Sequence, residues 1–259
     1  MDGVIDFFAD PAHWTGTTGI PNRLLEHLTI SALSILFATA IALPIGLYIG
    51  HTNRGSSLAI NLANIGRAIP SFAMMVIPVP LTLTLAETGL YSPQLGLVFL
   101  PPFIAMTFLA IPPLLVATYA GLRSVDRELI EAGRGMGLRE RQILGRIEVP
   151  IASSIIIGGL RTATLQVIAT ATIAAILGGG GLGRLIFDGI NQGVAGEPSI
   201  YAGAILVTAL AIGVDMLLSA VQTRLTPRAL RTKKITTRRR PFTGFDKDTR
   251  SASEAGAEV

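Results

Sequence analysis

The chain has no cysteine in its 259 residues, and only 15% of its residues are charged. Without thiols, neither a disulfide framework nor a thiolate metal site is possible. Histidine is also scarce: His13, His27 and His51 lie in three different predicted segments, so a histidine metal site or a catalytic triad is not expected. The sequence therefore predicts no metal, no cofactor and no enzymatic activity of its own.

Hydrophobic residues make up half of the chain, and its mean hydropathy is +0.57. This composition is typical of an integral membrane protein and not of a soluble domain. A spanning helix needs about 20 predominantly apolar residues. Five regions meet this requirement, namely residues 28–50, 58–86, 95–122, 151–182 and 198–223. We therefore predict an all-α membrane protein with about five transmembrane helices.

The second of these regions is interrupted. It contains Arg67 and the pair Ile69-Pro70, followed by Pro78 and Pro80, and proline removes a helix hydrogen bond. We expect a kinked or broken helix there, and a sixth span if the region divides between Arg67 and Pro70. Prolines inside spans are tolerated where neighbouring helices or a water-lined cavity satisfy the freed backbone groups. The pattern thus indicates a bundle around a pathway.

The distribution of Lys and Arg predicts the orientation in the membrane. With five spans, the segments 51–57, 123–148 and 224–259 lie on one side and carry seventeen of the twenty-one basic residues. That side is expected to be the cytoplasm, so the C-terminus lies inside and the N-terminus outside. The first 18 residues lack a basic stretch followed by an apolar one, so the first span is expected to act as an uncleaved signal.

Three parts of the chain follow from this topology. Residues 1–23 form an extracytoplasmic tail, residues 24–225 a transmembrane domain, and residues 226–259 a cytoplasmic tail that is first basic and then disordered. The basic cluster of the cytoplasmic tail is expected to attract anionic membrane lipid and not nucleic acid.

A charged loop at residues 123–150 lies between the third and fourth predicted spans. Its apolar and small residues recur on one helical face, namely Val125, Leu129, Ala132, Gly133 and Met136. Asp126 is a reasonable N-cap, and Gly135 or Gly137 can supply the left-handed residue that ends the helix. A second short helix then begins near Arg139, and Pro150 is expected to prevent an uninterrupted run into the fourth span. The small Ala132 and Gly133 would let this knob approach another protein closely.

The same loop carries a spaced motif. Glu131-Ala132-Gly133 is followed by Gly137, then by Ile147 and by the pair Val149-Pro150. This resembles the cytoplasmic coupling motif of ABC-importer permeases, written EAA, three residues, Gly, nine residues, Ile, any residue, Leu-Pro. Gly133 replaces the usual Ala and Val149 the usual Leu. By this resemblance, the residues that couple the chain to an ATPase are Asp126, Glu131, Ala132, Gly133, Gly137, Ile147 and Pro150.

A simpler interpretation of the loop is a solvated segment whose charges hold it in the cytoplasm. It explains the six Arg and five acidic residues between Arg123 and Glu148. It does not explain glycine and proline at the spacing of the motif. We therefore favour the coupling interpretation.

The resemblance extends over most of residues 25–230. The segments that carry it are 64–65 with 69–71, 125–126 with 131–137, 159–164, 169–172, and 178–186 with 188–190. They look like permeases of the osmoprotectant importer family, which carry glycine betaine, choline, carnitine and similar quaternary amines. The resemblance implies the five-helix core of methionine-type importer permeases. The implied partners are two copies of a cytoplasmic ATPase, a second permease subunit, either itself or a paralogue, and a separate extracytoplasmic binding protein.

Two other readings of the function stay open at this point. Within transport, the coupling motif also fits a permease for amino acids or methionine. From another class, a non-transporting membrane scaffold or a channel gated by a partner would have similar spans. The scaffold predicts uptake that is independent of Glu131 and Gly137, and the channel predicts flux without ATP.

Few residues in the spans carry side chains that could bind a ligand or take part in a reaction. The run from Gly178 to Gly183 is not followed by Lys-Ser/Thr, so it is no phosphate loop, and it is expected to end the fourth span. Among the intramembrane charges Arg67, Arg161 and Asp215, pairing inside the bundle is expected ahead of substrate contact. Small polar residues beside the predicted break and on the fourth span are candidates for the pathway, namely Pro70, Ser71, Thr170 and Thr172.

Overall fold

The computed structural model describes residues 2–89, 91–92 and 98–226. Within these ranges the chain is helical and contains no strand. The α-helices are α1 (Asp2–Ala9), α2 (Ile20–Thr52), α3 (Ser56–Ala68), α4 (Ser71–Val76), α5 (Pro78–Glu87), α6 (Leu100–Arg123), α7 (Arg127–Gly135), α8 (Glu140–Ile143), α9 (Val149–Ala171), α10 (Gly183–Asn191) and α11 (Glu197–Leu225). The predicted all-α fold class is confirmed, whereas the predicted cytoplasmic tail lies mostly outside the described residues.

Within the described residues, four helical stretches are long and apolar enough to cross a membrane. They are Ile20–Thr52, Leu100–Arg123, Glu140–Leu177 and Gly193–Leu225. They correspond to the first, third, fourth and fifth predicted spans. The first begins earlier than its apolar run because Pro21 is favourable in the first turn of a helix, and it ends where Asn53 adopts a left-handed conformation with φ 57°.

The second predicted region is not a single helix. It folds as α3, α4 and α5, which all pack on α6. The break between α3 and α4 falls at Ile69 and Pro70, which are extended with ψ of 125° and 134°, because a residue before proline is held out of the helical region. The predicted break is thus confirmed. With 13 residues, α3 is about 20 Å long and too short to span by itself.

The core lies where α2, α6 and α9 pack together, with α4 against them. Its buried residues include Ala38, Met75, Met106 and Val167. Close approach depends on small residues: a Cβ at Gly46 would lie 2.7 Å from the Cβ of Thr118, and one at Gly159 would overlap Ala117. Small residues at helix contacts are typical of membrane bundles because they let backbones meet.

The glycine run ends the fourth span as predicted. Gly178 and Gly181 have φ of +85° and +88°, which a residue with a side chain rarely adopts. The chain then turns into α10, which packs on α11. The N-terminal helix α1 also packs on α11, where Phe7, Ile20 and Ala202 form a small buried cluster.

Candidate functional site

The coupling loop, residues 123–150, begins with the predicted helix. Asp126 is the N-cap of α7, and its Oδ1 accepts a hydrogen bond from the backbone N–H of Glu128 at 3.0 Å. Gly137 ends the turn with φ +79°, and Leu138 donates its N–H to the carbonyl of Gly133 at 3.1 Å. The cap is confirmed, and of the two candidate glycines it is Gly137 that is left-handed.

The second helix of the loop starts as predicted but does not stop at Pro150. Arg139 caps α8, and its N–H donates to Oε1 of Gln142 at 2.8 Å. A π-helical turn, Leu144–Glu148, then leads directly into α9, so the helix runs without interruption from Glu140 to Leu177. The predicted interruption is therefore wrong. Pro150 lies in the first turn of α9, and the wider π turn before it accommodates a residue without an N–H donor.

Gly133 is small for a reason that the sequence interpretation missed. It is buried, and a Cβ there would lie 2.9 Å from Cδ1 of Ile147. Its lack of bulk therefore serves packing between α7 and the π turn. The expectation that Gly133 itself meets another protein is wrong for this residue, because the π turn of its own chain already covers it.

The other residues of the predicted apolar face differ in exposure. Leu129 is 48% and Met136 is 74% exposed, and Glu131 and Ala132 are also exposed, whereas Val125 is buried. The predicted face is thus divided between the interior of the loop and its surface. Exposed apolar side chains around a small residue, beside a carboxylate, form a surface suited to contact with another protein.

A chain of ionisable side chains ties the loop to the end of α2. Nδ1 of His51 lies 2.6 Å from Oε2 of the buried Glu148, and Nε2 lies 3.3 Å from Oε2 of Glu140. Arg134 on α7 donates to both oxygens of Glu140, at 2.9 and 3.2 Å. The hydrogen bond and charge of Arg134 lower the pKa of the exposed Glu140 carboxyl.

Sequence reasoning did not find this cluster. The three histidines lie in different segments of the chain, and the sequence marks Glu140 and Glu148 only as two of the five acidic residues of the loop. One signal was present: the two glutamates are eight residues apart, which places them on one face of a continuous helix. The partner on α2 lies 89 residues before Glu140, and no local pattern indicates that contact.

Beside this cluster lies a cavity of about 250 Å³. On one side it is lined by the end of α2, from Gly50 to Asn53, and on the other by residues of the coupling loop, including Ile130, Glu131 and Arg134. The end of α2 and the loop are therefore separated by open space near the His51 contact.

Two intramembrane charges pair as predicted. Arg161 on α9 holds both carboxylate oxygens of Asp215 on α11 at 2.8 Å and donates to Oε1 of Gln222 at 2.9 Å. Gln222 in turn donates to the carbonyl of Ser154 at 2.9 Å. The expectation of pairing within the bundle is confirmed. Arg67 lies on α3, and its side chain lies outside the described residues.

The candidate pathway residues differ in exposure. Met75, in the last turn of α4, and Ala171, the last residue of α9, belong to the same buried cluster. Pro70 is exposed and Ser71 half-buried, whereas Thr170 is only 7% exposed. The hydroxyl of Thr172 donates to the carbonyl of Ala169 at 2.6 Å. Their part in a pathway stays a prediction.

Comparison with known proteins adds independent information on this arrangement. Residues 42–231 match the family described as binding-protein-dependent transport system inner membrane component. The chain is 34% identical over 231 residues to the carnitine transport permease protein OpuCB of Listeria monocytogenes, covering 89% of this chain and 97% of that protein. It is also 34% identical over 212 residues to the choline transport system permease protein OpuBB of Bacillus subtilis, covering 82% and 91%.

A third relative and the solved structures agree with this result. The osmoprotectant import permease protein OsmW of Salmonella typhimurium is 33% identical over 206 residues, covering 80% of this chain and 91% of that protein. Among solved structures, a chain of the MetNI methionine ABC transporter in an inward-facing conformation superposes with a TM-score of 0.68 at 21% identity, covering 80% of this chain and 96% of that chain. At this identity the structural likeness establishes the fold alone.

Proposed function

Since the chain belongs to the family of binding-protein-dependent transport system inner membrane components, we propose that it is the permease subunit of an ABC importer for quaternary-ammonium osmoprotectants such as glycine betaine, choline or carnitine. The substrate class is supported by sequence identity: the chain is 33–34% identical, over 80% or more of its length, to permeases named for carnitine, choline and osmoprotectants. The methionine importer shares the fold at 21% identity, which supports no choice of cargo.

The partners follow from the family in outline. An importer of this kind works with an ATPase and a substrate-binding protein, and ATP hydrolysis is expected on the ATPase. We further propose two ATPase copies and a second permease subunit, either a second copy of this chain or a paralogue. The exposed Leu129 and Met136 support a docking surface on the coupling loop, because apolar side chains of this size gain from burial against a partner.

We propose that the loop docks on the ATPase through Glu131 and Ala132, while other motif residues shape it. Asp126 caps α7, Gly137 turns the chain, and Gly133 packs against Ile147. Pro150 is placed in the first turn of α9, so that the loop and the fourth span form one helix. Closure of the ATPase dimer on ATP binding would move two such loops together and rock the spans between inward-open and outward-open states.

The chain lies in the inner membrane as a multi-pass protein, and we propose the orientation with the coupling loop and the C-terminus in the cytoplasm. The asymmetry of the basic residues supports it. Along the route, we propose that Pro70, Ser71, Thr170 and Thr172 border the pathway, supported by the break at Pro70 and by the buried cluster to which Met75 of α4 and Ala171 of α9 both belong.

The deciding experiment is uptake by the complete importer. The chain is co-expressed with its ATPase and binding protein in cells that lack other osmoprotectant importers, and labelled glycine betaine, choline and carnitine are compared with methionine and histidine. ATP-dependent uptake of at least one quaternary amine, and of neither amino acid, is expected. Uptake of methionine or histidine alone would contradict the proposal, and flux without ATP would favour the channel.

The coupling loop is tested in the same cells. Glu131→Lys reverses a charge on the docking helix and is expected to abolish uptake while leaving the protein in the membrane. Gly137→Trp places bulk and a strained φ at the turn and is expected to do the same. Glu87→Lys, a reversal at an exposed acid at the end of α5, is the matched control and should transport normally. Normal uptake in both loop variants would favour a scaffold.

A further inference from the structure

We propose that His51 is a positioning residue for coupling, because it fastens the cytoplasmic end of the first span, α2, to the coupling loop. A movement of the loop is then delivered to α2 as well as to α9. The proposal goes beyond the assignment of cargo and rests on the importer role alone.

The geometry of the link joins four elements at one ring. His51 belongs to α2, Glu148 to the π turn and Glu140 to α8, and Arg134 of α7 binds Glu140 from the far side. The ring thus lies between two carboxylates, one at each of its nitrogens. A carboxylate oxygen of each glutamate lies within 3.3 Å of the ring, so the ring can hold the π turn and α8 at once.

Burial makes the inner half of this link strong. The side chain of Glu148 is 4% exposed and that of His51 is 14% exposed. A carboxylate at that depth needs a partner, because an unpaired buried charge is strongly unfavourable. The distance of 2.6 Å to Nδ1 of His51 supplies that partner. By contrast, the carboxylate of Glu140 is 55% exposed, so the outer half of the link is weaker.

The position of the ring suits it to transmit movement. The loop is joined to α6 and α9 by the chain itself, since α7 follows α6 closely and α8 runs on into α9. The end of α2 has no such connection, and the cavity of about 250 Å³ separates much of it from the loop. The His51 side chain bridges beside this gap. Tyr119 of α6 also donates to Oδ1 of Asn53 at 3.3 Å, so the end of α2 is held on two sides.

The link contacts the coupling loop at its π turn. Glu148 is the last residue of that turn, and Val149 donates its N–H to the carbonyl of Leu144. π turns within α-helices are frequent at functional sites. By holding Glu148, the ring also fixes which residues of the π turn are hydrogen-bonded to each other. A movement of α8 is then passed directly to α2, without first being passed along the whole of α9.

The first test measures uptake per ATP hydrolysed in the complete importer reconstituted in vesicles. His51→Ala is expected to lower this ratio about tenfold, and Glu140→Gln several-fold, with the complex still recovered. His13→Ala removes a histidine from the segment before α2 and is the matched control, expected to keep the wild-type ratio. An unchanged ratio in both His51→Ala and Glu140→Gln would overturn the proposal.

The second test uses rescue by a side chain that can still donate to both carboxylates. In His51→Lys the side chain can donate to Glu148 and Glu140, so uptake per ATP hydrolysed should recover towards the wild-type ratio, whereas His51→Ala has no donor. Equal ratios in His51→Lys and His51→Ala would contradict the link.

A third measurement needs no transported substrate. Failure of the His51 proposal can therefore be told apart from failure of the substrate assignment. Spin labels at the exposed Arg54 and Arg141 report the distance between the end of α2 and α8. In the wild-type complex this distance should stay fixed when ATP is added, whereas in His51→Ala it should shift or broaden. If His51→Ala does not assemble, the milder Glu140→Gln decides by the same criterion. A distance that changes equally in wild type and variant would overturn the proposal.

Discussion

The guanidinium of Arg161 on α9 holds both carboxylate oxygens of Asp215 on α11 at 2.8 Å, and its Nε lies 3.0 Å from Oδ1. Arg161 is the thirteenth residue of α9, so the pair lies about 18 Å along that helix from its start. That depth falls within the apolar region. With its side chains 28% and 33% exposed, the pair joins α11 to the rest of the bundle.

The ion pair predicts a large difference between single and double variants. Arg161→Met leaves the Asp215 carboxylate without its cation and is expected to destabilise the protein by about 3 kcal/mol. Arg161→Met with Asp215→Leu removes both charges and should recover most of that loss. The measurement is the thermal stability of the purified protein in detergent. Arg184→Met is the control, because its partner Asp188 lies on the same helix; equal losses for Arg161→Met and Arg184→Met would contradict a role in joining helices.

Packing inside the coupling loop gives a second prediction. Gly133→Ala brings a methyl group to 2.9 Å from Cδ1 of Ile147, so the gain of about 1 kcal/mol that Ala normally brings in a helix should be lost. Ile147→Val removes that Cδ1. In the Ile147→Val background, Gly133→Ala should therefore be stabilising, as read by thermal unfolding of the purified chain. The same change in stability in both backgrounds would show that the two residues do not interact.

The membrane topology can be tested directly because the chain has no cysteine. Cysteine at Arg54, beyond the end of α2, should react with a membrane-impermeant reagent only from the cytoplasmic side. Cysteine at Gln192, beyond the end of α10, should react only from outside. Both residues are exposed, so access depends on the side of the membrane. The reverse pattern would invert the proposed orientation.

Local patterns were sufficient for much of this fold. Hydropathy located four long helices, and the extended backbone at Ile69 and Pro70 broke the second region as proline chemistry requires. The cap at Asp126 and the left-handed Gly137 follow from residue type and position. Pro150 was misjudged because the π turn before it depends on the packing of Ile143 and Glu148, which are both buried, and a sequence window does not contain that environment.

The candidate site, like the fold, was predictable only where its features follow from the local sequence and not from packing. The motif residues were assigned by their resemblance to the coupling motif, and the pairing of Asp215 with an arginine was expected because charges within a membrane are costly unless paired. Which of Leu129, Gly133 and Met136 faces outward was not predictable, because it depends on how Ile147 returns over α7. The link between His51 and Glu148 joins residues 97 positions apart, and only the packed structure brings them together.

The last prediction separates a route from a packing contact. Ser71 is half-buried at the start of α4, so Ser71→Trp should leave the complex assembled with its ATPase but lower uptake at saturating binding protein, because added bulk narrows a route. Phe72→Trp is its matched control, since Phe72 is the next residue, is already large and is 48% exposed.

Thr170 is only 7% exposed. Overpacking there is expected to be destabilising by about 1–3 kcal/mol, so Thr170→Trp should reduce the amount of complex recovered. Thr170→Val keeps the shape and removes the hydroxyl, so a fall in uptake with normal assembly would indicate that the hydroxyl faces the route. Undiminished uptake in Ser71→Trp, with the complex intact, would place the route away from the start of α4.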